Sequence, residues 1–292
     1  MQSTAPEPVE ELDLLTATLI VSLGLVLLNL WERRRRQRGQ PPLFAAQWSV
    51  KDLLEAAVLV FLLVSFSGAV VLLLTGWESQ SLQVPLVLLL PQSLGMVGGV
   101  SWYVRVKYRR PWAELGLRPD PHWAGRFGLG VSYGVLTPFL AGLVTVLALV
   151  LLGTFLSPEG LNRLIAAEEQ NSFYQFIQAL FFQASGGWMV WGTILFVVVG
   201  PVAEEIFFRG FAYQTLRRRF GEPTAMLGSS LLFSLAHGRL LAAPGLFAIG
   251  LVFVRLYQRT GTLVTSMAAH AIHNALLLLI LLAAVTFGGT GG

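Results

Sequence analysis

Residues 187–212 read GWMVWGTILFVVVGPVAEEIFFRGFA, an apolar run that carries Glu204, Glu205 and Arg209 in its second half. A hydrocarbon core about 30 Å thick is crossed by roughly 20 apolar residues in a helix. In lipid the backbone must satisfy its own polar groups within the segment, so the run is read as helical. Seven further runs lie at about residues 14–31, 56–75, 84–104, 127–155, 223–238, 244–257 and 262–287. Together they predict an all-α integral membrane protein, about eight transmembrane helices in one bundle. The run at 244–257 is the short one and reads equally as a buried or re-entrant helix.

Composition agrees. Of 292 residues, 54% are hydrophobic and 12% charged, against about 25% charged in a soluble domain. No cysteine is present, which excludes disulfides, thiolate nucleophiles, iron–sulfur clusters and Cys-based zinc sites. The net charge of +4 does not point to nucleic acid, because the cations follow membrane topology rather than one solvated face. If the first run passes from outside to inside, 17 of the 20 Lys and Arg residues fall on the inner side, from Arg33 to Arg259. Arg163 and Arg239 fall outside and Arg209 lies within a span. Both termini are then outside. The acids before the first run (Glu7, Glu10, Glu11, Asp13) predict no cleavable signal. The segment Pro111–Pro119 is expected to lie flat on the inner surface, and residues 156–183 to hold an outer interfacial helix. Arg33–Arg38 and Arg217–Arg219 are expected as solvated anchors.

Ionisable groups inside spans cost roughly 2.5 to 3.5 kcal/mol each on insertion and by default mark function. Here they cluster: Glu204, Glu205 and Arg209 in the fifth run, His237 in the sixth, His270, His273 and Asn274 in the eighth. Glu205 and Arg209 are four apart on one helical face, so the arginine is expected to neutralise Glu205 as structural support. Glu204 is rotated about 100° away and stays available as a general base. Counting about 1.5 Å per residue from the inner ends, Glu204, His237, His270 and Asn274 lie at roughly 20, 21, 12 and 18 Å. Three helices can therefore present a carboxylate, two imidazoles and a carboxamide to one cavity. That set suits hydrolysis, with Glu204 and His237 deprotonating water and His270 and Asn274 donating to an oxyanion. A carboxylate and imidazoles also suit zinc, with Glu204, His237 and His270 as ligands, although the helical H-E-x-x-H signature is absent. His273, Ser229, Ser230 and the phenylalanines around the site are expected to be packing residues.

In this order, Glu204-Glu205-x-x-x-Arg209, Phe233-x-x-x-His237 and His270-x-x-x-Asn274 resemble the motifs of the CPBP family (CAAX-processing and bacteriocin-processing, also Abi) of intramembrane endopeptidases. The eukaryotic prenyl-protein CAAX endopeptidase is a member. The likeness covers about residues 190–285, and Leu115-Gly116-Leu117-Arg118 also looks like the family. It implies a conical cavity open to the cytoplasm in a multi-pass cell-membrane protein. It implies water activated by Glu204 and His237, an oxyanion hole of His270 and Asn274, and no required cofactor. Substrates would be membrane-associated proteins or peptides: isoprenylated tails in the eukaryotic branch, peptide maturation, bacteriocin immunity and regulatory proteolysis in bacteria. Residues 1–110 would then be three accessory transmembrane helices and residues 111–292 the catalytic core.

Two other readings stand beside this one: a proton-coupled membrane carrier, and a non-catalytic immunity or scaffold protein. No inverted repeat supports the carrier. Paired transmembrane aspartates are absent, since the aspartates are Asp13, Asp52 and Asp120. Gly228-Ser229-Ser230 is followed by Leu231, where a rhomboid-type serine protease has glycine.

Overall fold

The structure is a computed structural model that describes residues 48–76, 83–170, 180 and 186–288. The expected first span and Arg33–Arg38 lie outside the described residues. Among the described residues the chain is helical, with no strand. We number the helices α1 (Val50–Thr75), α2 (Gln83–Ser101, prolonged by a π turn to Lys107), α3 (Trp123–Gly153), α4 (Pro158–Gln170), α5 (Gly186–Phe220), α6 (Glu222–Ala236), α7 (Ala243–Thr260) and α8 (Leu263–Gly288).

Five segments are long and apolar enough to cross a membrane: α1, Val87–Lys107, α3, α5 and Leu263–Ala284. Five such helices are the makeup of a multi-pass membrane protein. Their outer faces carry Phe66, Leu73, Leu136, Phe139 and Val150, each more than 60% exposed or close to it, as a surface solvated by lipid requires. The expected sixth and seventh spans differ. They form α6 and α7, of 15 and 18 residues, packed as an antiparallel hairpin outside the set of five. Arg255 and Arg259 within α7 lower its apolarity, and Pro223 and Gly238 bound α6. The hairpin brings His237 beside the middle of α5, its Nε2 3.9 Å from Glu204 Oε2.

Helix α5 is not uniform. It widens to π register at Leu195–Val199 and again at Ile206–Tyr213. In the first, Gly200 N–H bonds to Leu195 O. The next rung would put Pro201 nitrogen, which has no hydrogen, opposite Phe196 O. A side chain from another helix takes that carbonyl, as described below.

Helices α3 and α8 pack through small residues. A Cβ added at Gly134 would lie 2.6 Å from Ala269 O and 2.7 Å from Ile272 Cβ, so the backbones approach as closely as in a G-x-x-x-G pair, here Gly130 and Gly134. Pro138 removes the ladder donor for Gly134 O, and Thr137 Oγ1 donates to that carbonyl instead, at 2.9 Å.

The arginine-rich end is more built than expected. Leu115 is fully buried and Gly116 takes φ +87°. Tyr257 OH donates to Leu115 O at 3.1 Å, and Leu263 N–H to Gly116 O at 3.3 Å. Thus the middle of the Pro111–Pro119 segment, Leu115 and Gly116, is held against α5, α7 and α8 by two backbone carbonyls that find donors there, while Pro111, Ala113, Arg118 and Pro119 are exposed. Arg218 is likewise no free anchor: its guanidinium sits 4.5 Å over the Trp48 ring. The expected outer interfacial helix is represented by α4, and the rest of 171–183, apart from Leu180, lies outside the described residues.

Candidate active site

Glu205 and Arg209 form the expected ion pair at 2.8 Å, both completely buried. A buried pair needs further donors and acceptors to offset desolvation; it has some of them, while Glu205 Oε2 and Arg209 Nε are buried without a hydrogen-bond partner. Arg209 Nη2 donates to Gly250 O at 3.3 Å, and its guanidinium lies between the rings of Phe233 and Phe253, at 4.4 and 5.1 Å. Glu205 Oε1 also accepts from His270 Nδ1–H at 3.0 Å. Glu205 therefore both neutralises Arg209 and fixes the orientation of an imidazole.

The other ring nitrogen of His270 faces Glu204. Its Nε2 stands 3.8 Å from Glu204 Oε2. His237 Nδ1–H donates to its own helix at Phe233 O, 2.7 Å, since a carbonyl only accepts. That leaves His237 Nε2 facing the same Glu204 Oε2 at 3.9 Å. Glu204 Oε2 is buried and has no direct hydrogen-bond partner. Separations of 3.8 and 3.9 Å exceed a direct hydrogen bond but suit one water touching both groups. Side-chain exposure grades across the cluster, 3% at His270, 16% at Glu204 and 28% at His237, so His237 is its most accessible member.

Aromatic rings hold the cluster. Phe253 stacks on His270 with centroids 4.9 Å apart and planes at 27°. Phe233 meets His237 and His270 edge-on at 4.7 and 5.6 Å. One phenylalanine thus contacts the buried cation and both imidazoles. The expectation of Phe207, Phe208, Phe211 and Phe233 as packing residues agrees with their burial, and Ser230 packs on Gly250, whose added Cβ would lie 3.1 Å from Ser230 Cβ.

Asn274 Nδ2 donates to Phe196 O at 2.9 Å, the carbonyl left without a ladder hydrogen by Pro201. One of its two amide hydrogens is therefore committed to joining α8 to α5. His273 Nδ1–H donates to Thr137 Oγ1 at 3.1 Å, so this imidazole ties α8 to α3. Sequence reasoning missed Phe196, Thr137, Gly250 and Phe253. The prolines at 138 and 201 were the available signal, each announcing a carbonyl in need of a donor.

As disposed, Glu204, His237 and His270 do not form a metal-holding group: among the described residues no set of three His, Asp or Glu side chains is so arranged. We derive no step through a metal.

Residues 186–276 match the family described as type II CAAX prenyl endopeptidase Rce1-like. The matched region contains Glu204, Glu205, Arg209, His237, His270 and Asn274, together with Phe196, Gly250 and Phe253. No curated protein and no solved structure matches the chain.

Proposed function

We propose that this chain is an intramembrane endopeptidase of the CAAX type that hydrolyses membrane-associated protein or peptide substrates. The supporting observation is the Glu204 carboxylate oxygen, buried without a direct partner and facing two imidazole Nε2 atoms at 3.8 and 3.9 Å. A water lodged there loses a proton to Glu204 as its oxygen bonds to the scissile carbonyl carbon. His237 Nε2, an acceptor because Nδ1 carries the hydrogen, orients that water. Glu204 then passes the proton to the leaving nitrogen as the C–N bond breaks, which restores the carboxylate. No covalent enzyme intermediate forms.

The oxyanion is stabilised by His270 and by the second amide hydrogen of Asn274. While Nδ1–H stays on Glu205, His270 donates from Nε2 only with both ring nitrogens protonated. The oxyanion role thus sets a definite protonation state for one ring. We place the chemistry in residues 111–292, with 1–110 accessory, and the opening on the cytoplasmic side of the cell membrane, where the arginines gather.

The test is cleavage of fluorogenic prenylated and unmodified peptides by purified protein. Turnover is expected in the wild type and in Leu279→Ala, a lipid-exposed control, and is expected to vanish in Glu204→Gln. Full activity in Glu204→Gln would overturn the mechanism. Counterflow in liposomes without cleavage would favour the carrier, and silence in both assays the scaffold.

A further inference from the structure

A cavity of about 380 Å³ opens at the arginine-rich end, between α3, α6 and α7, within the range of roughly 300 to 1,000 Å³ usual for ligand sites. Its walls are Tyr133 of α3, Met226 of α6 and Leu251 and Val252 of α7, and Arg255 and Arg259 also line it. The polarity is graded along the membrane normal. Arg259 is one residue from the end of α7 and Arg255 five, whereas Leu251 is nine residues, about 14 Å, further in. Tyr133 is ten residues into α3, about 15 Å. Charge therefore sits at the mouth and apolar wall behind it, the profile of an amphiphile with an anionic head.

Among the described residues the two guanidiniums have no acid to satisfy them. Arg255 Nη1 donates to the neutral Gln258 at 3.3 Å, and among the described residues no carboxylate pairs with Arg255 or Arg259. Glu222, one turn before Met226, is taken by Arg217 at 3.6 Å. A third cation is close, since a Cβ added at Gly261 would meet the Arg118 guanidinium at 3.5 Å. A cation in the last turn of a helix is accounted for by the terminal carbonyls, which covers Arg259. It does not cover Arg255, a turn deeper. Paired arginines flanking an apolar groove are suited to a phosphodiester, which accepts their forked hydrogen bonds, and anionic lipid is enriched where such basic pockets open.

We propose that this groove binds one anionic phospholipid, its phosphate on Arg255 and Arg259 and the upper part of an acyl chain along Tyr133, Leu251 and Val252. The opposite face of α7 presents Gly250 to Arg209 and Phe253 to His270, so the helix that holds the lipid also backs the candidate site.

The test uses full-length protein in nanodiscs of phosphatidylcholine containing a minor fraction of phosphatidylglycerol, with native mass spectrometry after release. One phosphatidylglycerol is expected to stay bound to the wild type. Loss of roughly fivefold in retention is expected for each of Arg255→Gln and Arg259→Gln. Val252→Trp, which fills the groove and keeps the charge, is expected to lower retention as well. Arg219→Gln, a basic position outside the groove, is expected to leave it unchanged, and soluble glycerol phosphate is expected not to compete. Equal retention in the double Gln variant, an equal loss in Arg219→Gln, displacement by glycerol phosphate, or equal retention of phosphatidylcholine would each overturn the proposal. Circular dichroism shows which variants are folded, and Val252→Trp carries the test if the Gln variants are not.

Discussion

The side-chain amide of Asn274 donates to the carbonyl of Phe196 at 2.9 Å, the carbonyl whose ladder position falls on Pro201. Removal in Asn274→Ala leaves that carbonyl unsatisfied, at a cost of about 1 to 3 kcal/mol. Pro201→Ala in the same chain returns a backbone N–H and is expected to recover most of the stability, read by thermal unfolding in detergent. Turnover is expected to stay absent in the double variant, because the second amide hydrogen is still missing. Recovery of activity together with stability would make Asn274 purely a tie between helices.

Adjacent glutamates should behave in opposite ways. Glu205→Ala strands Arg209, fully buried, and releases His270, a loss of roughly 3 to 5 kcal/mol that should appear as little folded protein in size-exclusion chromatography. Glu204→Gln removes no direct hydrogen bond and should elute and melt like the wild type while losing turnover. Equal melting of both variants would contradict the division of labour.

Phe208→Ala tests support rather than chemistry. Phe208 is 3% exposed and edge-on to Phe207 and Phe233 at 5.1 and 5.4 Å, so a destabilisation of about 3 to 5 kcal/mol is expected. The measurement is the denaturation midpoint in mild detergent with added SDS. A shift no larger than that of Leu279→Ala would show that the aromatic cluster does not bear on stability.

The α3–α8 seam can be probed by size. Gly134→Val forces a branched side chain onto Ala269 O and should cost about 1 to 3 kcal/mol or more. Gly142→Ala, with nothing within 4 Å of an added Cβ, should change stability by no more than about 1 kcal/mol. Melting temperatures of the two variants compared with the wild type decide it.

Thr137→Val keeps shape while removing the hydroxyl that serves both His273 and Gly134 O. A loss of about 1 to 3 kcal/mol is expected, with turnover per folded molecule retained, since His273 has no role in the proposed chemistry. A fall in turnover at unchanged stability would bring His273 into the site.

Much of the candidate site was legible because helical spacing is rigid. The four-residue interval fixed the Glu205–Arg209 pair, and counting rise per residue brought Glu204, His237 and His270 to one place. The second role of Glu205 was not legible, since a contact to His270 across 65 positions depends on how two helices cross. The partner of Asn274 was hidden for a related reason: it follows from a π widening that hydropathy does not record. Of the eight apolar runs, five coincide with helices long and apolar enough to span; α6, with 15 residues, and α7, with two arginines, are shorter or less apolar than that. The aromatic and basic residues of Pro111–Pro119 announce a headgroup region, whereas its attachment to the helices, through the buried Leu115 and two backbone carbonyls, depends on how α5, α7 and α8 meet.

The turn that follows His237 ends α6 beside the middle of α5, and its amides at Gly238 and Ala243 close on Leu235 O and Leu240 O. His237, at the end of that helix, is the most exposed member of the cluster. For the proposed hydrolase, the consequence is a path by which its second reactant, water, reaches Glu204 without crossing the packed helices.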